Sequence, residues 1–211
     1  MKNFFYKPIL FLLMATICMA TQCPKKDRFP SYNFTEKINL YPEQSIYQLG
    51  DTIWLQHVGT NLYDNKSNQY FSTDTLAIAF GLQTSTVYNL PPDTTNVFCD
   101  FILNGKNMGS QRGYYFGCGT GESFNFTLGM VLIKKGTFSI DLNAYLPVSS
   151  CSSSNYYDGE GFPPSSVNYQ LNITDGHKDI YLGVTPARRA DPKDYVYNAL
   201  KAKKMFFFKV E

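Results

Sequence analysis

The chain is 211 residues long, with 44% hydrophobic, 17% charged and 16% aromatic residues, a length that suits one domain or at most two small ones. Its ordinary apolar content excludes wholesale disorder, and its 17 Phe and 16 Tyr favour strands and turns over helices. Basic residues number 19 against 17 acidic ones, and loss of the leader, which takes Lys2 and Lys7 and no acid, leaves 17 against 17.

That neutrality excludes a nucleic-acid partner, whose affinity rests on phosphate neutralisation by a basic surface. Only Arg188, Arg189, Lys193, Lys201, Lys203 and Lys204 gather near one another, and Asp191 and Asp194 interrupt them.

Residues 1–22 read as a secretory signal: Lys2 and Lys7, then the apolar run from Ile9 to Ala15, then small residues. The run is too short for a membrane span. Two cleavage readings stay open. Ordinary signal peptidase would cut after Ala20, whereas Ala20-Thr21-Gln22-Cys23 is a degenerate lipobox that would leave Cys23 acylated. Residues 23–30, with Pro24-Lys25-Lys26-Asp27-Arg28, then form a polar tether, and the membrane is touched through the N-terminal lipid only.

Residues 31–211 read as one all-β domain, because apolar and polar residues alternate along it. Phe34, Ile38 and Leu40 mark a first strand ended by Pro42, and Ile53 and Leu55 a second, with Trp54 on its other side. Leu76, Ile78, Phe80 and Leu82 alternate, as do Val97, Cys99, Phe101 and Leu103. Phe124, Phe126, Leu128, Met130 and Leu132 form one face; Phe138, Ile140, Leu142, Ala144 and Leu146 form another. The three-residue loop Lys134-Lys135-Gly136 between them predicts a hairpin in which Leu132 faces Phe138 and Met130 faces Ile140. Val167, Tyr169, Leu171 and Ile173 make a further strand, and Ile180, Leu182 and Val184 a weaker one. Loops are expected at 61–68, 89–95, 104–113 and 149–166. One helix, 192–204, follows from Asp191 as N-cap, Pro192 in the first turn and Lys201, Lys203 and Lys204 at the C-terminal end. A last strand, 205–210, turns Phe206, Phe208 and Val210 inward. Eight or nine one-sided strands need a second sheet to cover them, which predicts an antiparallel β-sandwich with one short C-terminal helix.

The stretch Leu40-Tyr41-Pro42, then Ile46-Tyr47-Gln48-Leu49-Gly50-Asp51-Thr52-Ile53-Trp54-Leu55, resembles the opening of many bacterial immunoglobulin-like domains. There a Pro-terminated strand leads through a Tyr-x-x-Gly-Asp-Thr turn into the second core strand. With the signal and the Cys-Pro-Lys-Lys-Asp start, the chain resembles the uncharacterised exported lipoproteins of Bacteroidota. The resemblance implies an immunoglobulin-like sandwich and an outer-membrane or periplasmic location; it carries no catalytic residues.

Chemistry-bearing residues are sparse. In the register of the predicted hairpin Cys151 falls beside Cys118, which predicts a Cys118–Cys151 disulfide and leaves Cys99 as a buried thiol. No Cys-x-x-Cys spacing and no His at metal-ligand spacing appear, so no cofactor or metal site is read. His57 and His177 read as polar surface residues. The Gly-rich run 117–123 lacks the Lys and helix of a phosphate loop and reads as a connection. On the long loop, Tyr156, Tyr157 and Phe162 surround Asp158 and Glu160. The rings are expected to anchor the long loop onto the sandwich; the alternative is that aromatic faces beside carboxylates stack on a sugar ring and hydrogen-bond its hydroxyls, or bind a peptide.

The sequence therefore points to a non-catalytic cell-envelope lipoprotein that binds or positions a partner, a surface glycan or an envelope protein. An exported hydrolase using His57, or His177 with Asp179, and a structural subunit of a surface assembly are the alternatives.

Overall fold

A computed structural model describes residues 33–86, 98–111, 113–117, 124–142, 146–150, 166–183 and 193–211. A front sheet runs in the order β8 (Lys106–Gly109), β7 (Cys99–Leu103), β10 (Phe126–Leu132), β3 (Thr52–His57), β1 (Asn33–Tyr41) and β13 (Ser166–Asn172). A back sheet runs β6 (Leu76–Thr86), β11 (Gly136–Leu142), β14 (Met205–Val210) and β2 (Ile46–Tyr47), with β9 (Gly113–Gly117) also on β6. The two are joined by β12 (Leu146–Ser150), which pairs with β13 at Leu146 and Pro147 and with β6 from Val148 to Ser150. Pairing is antiparallel except for β1 with β13 and β14 with β2.

The sheets face each other across an aromatic core. Phe98 stacks on Phe138 at 4.1 Å, Phe126 meets Phe80 at 4.8 Å, and the buried Tyr169 hydroxyl donates to the Ala79 carbonyl at 2.7 Å. Burial pushes the Tyr169 phenol well above its ordinary pKa, so it remains a donor in this site. Every inward residue expected of β13 is buried, and Cys99 is 2% exposed on the inner side of β7.

The hairpin expected across Lys134-Lys135-Gly136 does not form. β10 pairs with β3 and β7, whereas β11 pairs with β14 and β6, so residues 133–135 carry the chain from the front sheet to the back. Alternation identifies the apolar side of each strand but not its neighbour. A hairpin and an arch across the core both put Leu132 and Phe138 inside. The register that set Cys118 beside Cys151 goes with it, and both cysteines lie outside the described residues.

Two expected loops contain strands. Asn61–Asp64 and Gln69–Ser72 form the hairpin β4–β5, which meets β1 where Asp64 pairs with Phe34. Asn104 and Gly105, with φ of 48° and 82°, close the two-residue hairpin between β7 and β8, a turn that an Asn-Gly pair favours. The weak strand expected at Ile180 and Leu182 is instead a short helix, α1 (Lys178–Leu182). A strand would point Tyr181 away from Ile180 to the other side; in the helix Tyr181 is the buried residue, 5.3 Å from the Phe207 ring.

Helix α2 (Lys193–Lys201) lies within the span 192–204, and β14 has the expected bounds. With α1 it covers the outer side of the back sheet: Tyr181, Val196 and Ala199 bury against Met205 and Phe207, while Phe206, Phe208 and Val210 face the main core. Among the described residues no helix is long and apolar enough to cross a membrane.

The segment that carries the family resemblance forms a tight joint. The Asp51 amide donates to the Gln48 carbonyl at 3.1 Å, Gly50 supplies φ of 94°, and the Gln48 amide donates to Asp51 Oδ2 at 2.7 Å. Only glycine adopts that φ without strain. The buried Tyr47 ring stands edge-on to Phe208, and its hydroxyl donates to the Pro42 carbonyl at 2.5 Å. Burial pushes that phenol up to about 12.

Candidate functional site

The residues of the aromatic loop, Tyr156, Tyr157, Asp158, Glu160 and Phe162, lie outside the described residues, as does Cys23. The histidines do not. His57 is 2% exposed, which corrects its reading as a surface residue. It follows Ile53 and Leu55 on the inner side of β3, because side chains two apart share a face. Its Nδ1 lies 2.7 Å from the Phe124 carbonyl, which can only accept, so Nδ1 carries a proton and donates. Its Nε2 meets Glu36 Oε2 at 3.1 Å, and Phe124 packs on the ring at 4.2 Å. Both nitrogens are therefore engaged, and the ring has almost no solvent face on which to meet a substrate.

His177 occupies a left-handed turn residue before α1 and is half-buried, its ring 5.0 Å from Phe206 and its Nε2 buried with no hydrogen-bond partner. Asp179 is exposed in the first turn of α1. Among the described residues no three His, Cys, Asp or Glu side chains gather as a metal ion would require.

Among the described residues, the most exposed aromatic side chain lies on the β4–β5 hairpin. One of its faces points inward: Leu62 and Asp64 are buried, and Phe71 meets Phe34 edge-on at 5.9 Å. Its other face carries Tyr63 opposite Tyr70, with ring centroids 5.1 Å apart and planes at 54°. Tyr70 is 73% exposed, the most exposed of the large hydrophobic side chains among the described residues. Asn61 and Asn68 are exposed nearby, and the Tyr63 hydroxyl donates to Asn68 Oδ1 at 3.0 Å.

Asp64 fixes this hairpin to the sandwich. Its Oδ1 accepts from the Asn33 amide at 2.6 Å and its Oδ2 from the Ser67 amide at 2.8 Å, while Asn65 Nδ2 donates to the Asn33 carbonyl and to Thr35 Oγ1. Burial alone would raise the Asp64 pKa, but hydrogen bonds from Ser67 and Asn33 outweigh it and hold the carboxyl below its ordinary 3.8. Sequence reasoning missed the hairpin because Asp64-Asn65-Lys66-Ser67-Asn68 is turn-rich. The Tyr63-to-Tyr70 spacing about that turn is the signal that reveals it.

At the rim of the back sheet lies an open cleft of about 260 Å³ bounded by Asp141, Leu142, Tyr195, Asn198, Ala202 and Lys204. Asp141 sits on the outer side of β11 but is only 7% exposed, and its Oδ2 accepts from the Tyr195 hydroxyl. Burial lowers the Lys204 pKa, and the nearby Asp141 charge opposes that shift. Carboxylate and ammonium compensate each other, so the cleft has no uncompensated charge with which to select an ion.

In comparison with known proteins, the chain matches no family model and no curated protein.

Proposed function

We propose that the chain is a non-catalytic, exported envelope protein, anchored by lipid on Cys23 at the outer membrane or in the periplasm, whose β-sandwich binds or positions a partner. We read the two packed sheets as an immunoglobulin-like sandwich of the Bacteroidota lipoprotein type. The Tyr47 joint and its Gly50 turn support that reading.

The observation that carries the binding function is the β4–β5 hairpin. It holds Tyr70 toward solvent beside the half-buried Tyr63, on a turn fixed by the buried Asp64, and a preorganised aromatic surface loses little freedom on binding.

The test is in-cell photo-crosslinking with a photoreactive phenylalanine in place of Tyr70, and in place of Lys106 on the far edge strand as control. Discrete envelope adducts from position 70 and none from position 106 are expected. Equal labelling from both, or none from either, contradicts the reading. The intact mass of the membrane-fraction protein checks the anchor: a chain starting at Cys23 with acyl groups is expected, and one starting at Thr21 refutes it.

A further inference from the structure

Across a flat hairpin face, side chains two residues apart and directly opposite one another present a single surface. On β4–β5 that surface comprises Asn61, Tyr63, Tyr70 and Ser72, since Asn61 pairs with Ser72 and Tyr63 with Tyr70. Apolar ring faces occupy its middle, with Asn61 at one end and Asn68 beyond the other. The Tyr63 hydroxyl engages Asn68 Oδ1, which directs the Asn68 amide nitrogen away from it, and the Tyr70 hydroxyl has no hydrogen-bond partner among the described residues.

Charge is sparse on the hairpin itself, and the exposed Asp74 follows just beyond Ser72, whose Oγ accepts from the Asp74 amide. Asp64 is turned inward and consumed by backbone amides, so Lys66 in the turn is the single charged side chain presented between residues 61 and 72. A phosphate or an acidic peptide would find only Lys66 to pair with on the hairpin. The two rings form an open corner of 54° and not a closed pocket, which suits a flat, edge-polar ligand better than an inserted side chain.

From this juxtaposition we infer that the outer face of the β4–β5 hairpin is a carbohydrate-binding platform for neutral glycans. A pyranose ring presents C–H groups on its face and hydroxyls around its edge. Its face stacks on Tyr70, Tyr63 walls one side, and the Asn68 and Asn61 amides hydrogen-bond the rim hydroxyls. The inference rests on the partner-binding reading above and narrows the partner to a glycan. It assigns recognition to the described hairpin, independently of the loop around Tyr156.

The test is calorimetric titration of the purified protein with cellohexaose, mannohexaose, chitohexaose and soluble glycan strands of peptidoglycan. Wild-type protein should bind at least one of them. Tyr70→Ala should weaken that binding about tenfold, and Tyr70→Phe, which keeps the ring, should stay within about twofold. Tyr115→Ala, which removes an exposed tyrosine from β9, should leave affinity unchanged. Amide spectra of each variant show whether the hairpin remains folded; Tyr70→Leu replaces Tyr70→Ala if that variant does not. No binding of any of these glycans by wild-type protein, or undiminished binding by folded Tyr70→Ala, overturns the inference. If crosslinking from position 70 still yields discrete envelope adducts while every glycan fails, the partner-binding function stands and the glycan falls. If both fail, both fall.

Discussion

In the front sheet, β3 buries Ile53, Leu55 and His57 and leaves Thr52, Trp54 and Gln56 partly exposed. In the back sheet, β14 buries Met205, Phe206, Phe207 and Phe208 without a break. The difference lies in what covers each outer side. The front sheet's is only partly shielded, Trp54 lying over Gly129, so its strands keep a polar side. The back sheet's is covered by α1 and α2, which turns β14 into a continuous apolar run and buries Ser139 and Asp141 on β11. Among the described residues the helices cover one outer side only, and the proposed partner surface lies on the hairpin that extends the other.

Matched aromatic deletions on the two outer sides probe this contrast most strongly. Phe207→Ala should cost about 3–5 kcal/mol, as a core deletion does, whereas Trp54→Ala should cost roughly 1–2 kcal/mol, since the ring already meets solvent. Urea unfolding of both variants measures the gap, and equal losses would mean that the helices do not seal the back sheet. A polar pair sharpens the same point. Asp141→Ala removes the buried acceptor of the Tyr195 hydroxyl and should destabilise by about 1–2 kcal/mol, while Gln56→Ala on the front sheet should stay within about 0.5 kcal/mol.

These contrasts also explain what the sequence could and could not reveal. The inward faces of β1, β7, β10 and β13 were legible because period-two patterning depends only on one apolar side. Ser139 and Asp141 fit the same pattern, yet a helix whose Tyr195 lies 54 residues beyond Asp141 in the chain determines whether that side is wet. Strand partnership was not legible either: Leu132 and Phe138 satisfy an arch as well as a hairpin. Among candidate residues, His57 was visible as a titratable group, but its burial depends on Glu36 and Phe124, which reach it from other parts of the chain. The Tyr63–Tyr70 platform was hidden inside a turn-rich stretch that read as a loop.

The hairpin's attachment has its own pH signature. Because the folded state holds the Asp64 carboxyl below its ordinary 3.8, the group adds stability above that value, and the contribution is lost as pH falls through the lower folded pKa. Amide exchange at residues 61–72 should accelerate in that acid window before the core opens. Asp64→Asn should show fast exchange there at neutral pH as well; exchange that ignores both acid and substitution would detach Asp64 from this role. The smallest stability effect is expected at the binding face, where Tyr70→Ala should shift unfolding by under about 0.5 kcal/mol while still removing a partner contact. A large loss of stability would make Tyr70 a structural residue.

The most direct test of the open-front account is amide-resolved NMR mapping during titration with an envelope glycan fraction. Shift changes confined to residues 61–72, with β14, α2 and the Asp141–Lys204 cleft unchanged, are the result this account predicts. Changes centred on Asp141, Tyr195 and Lys204, with the hairpin silent, would contradict it and move recognition to the helix-covered side.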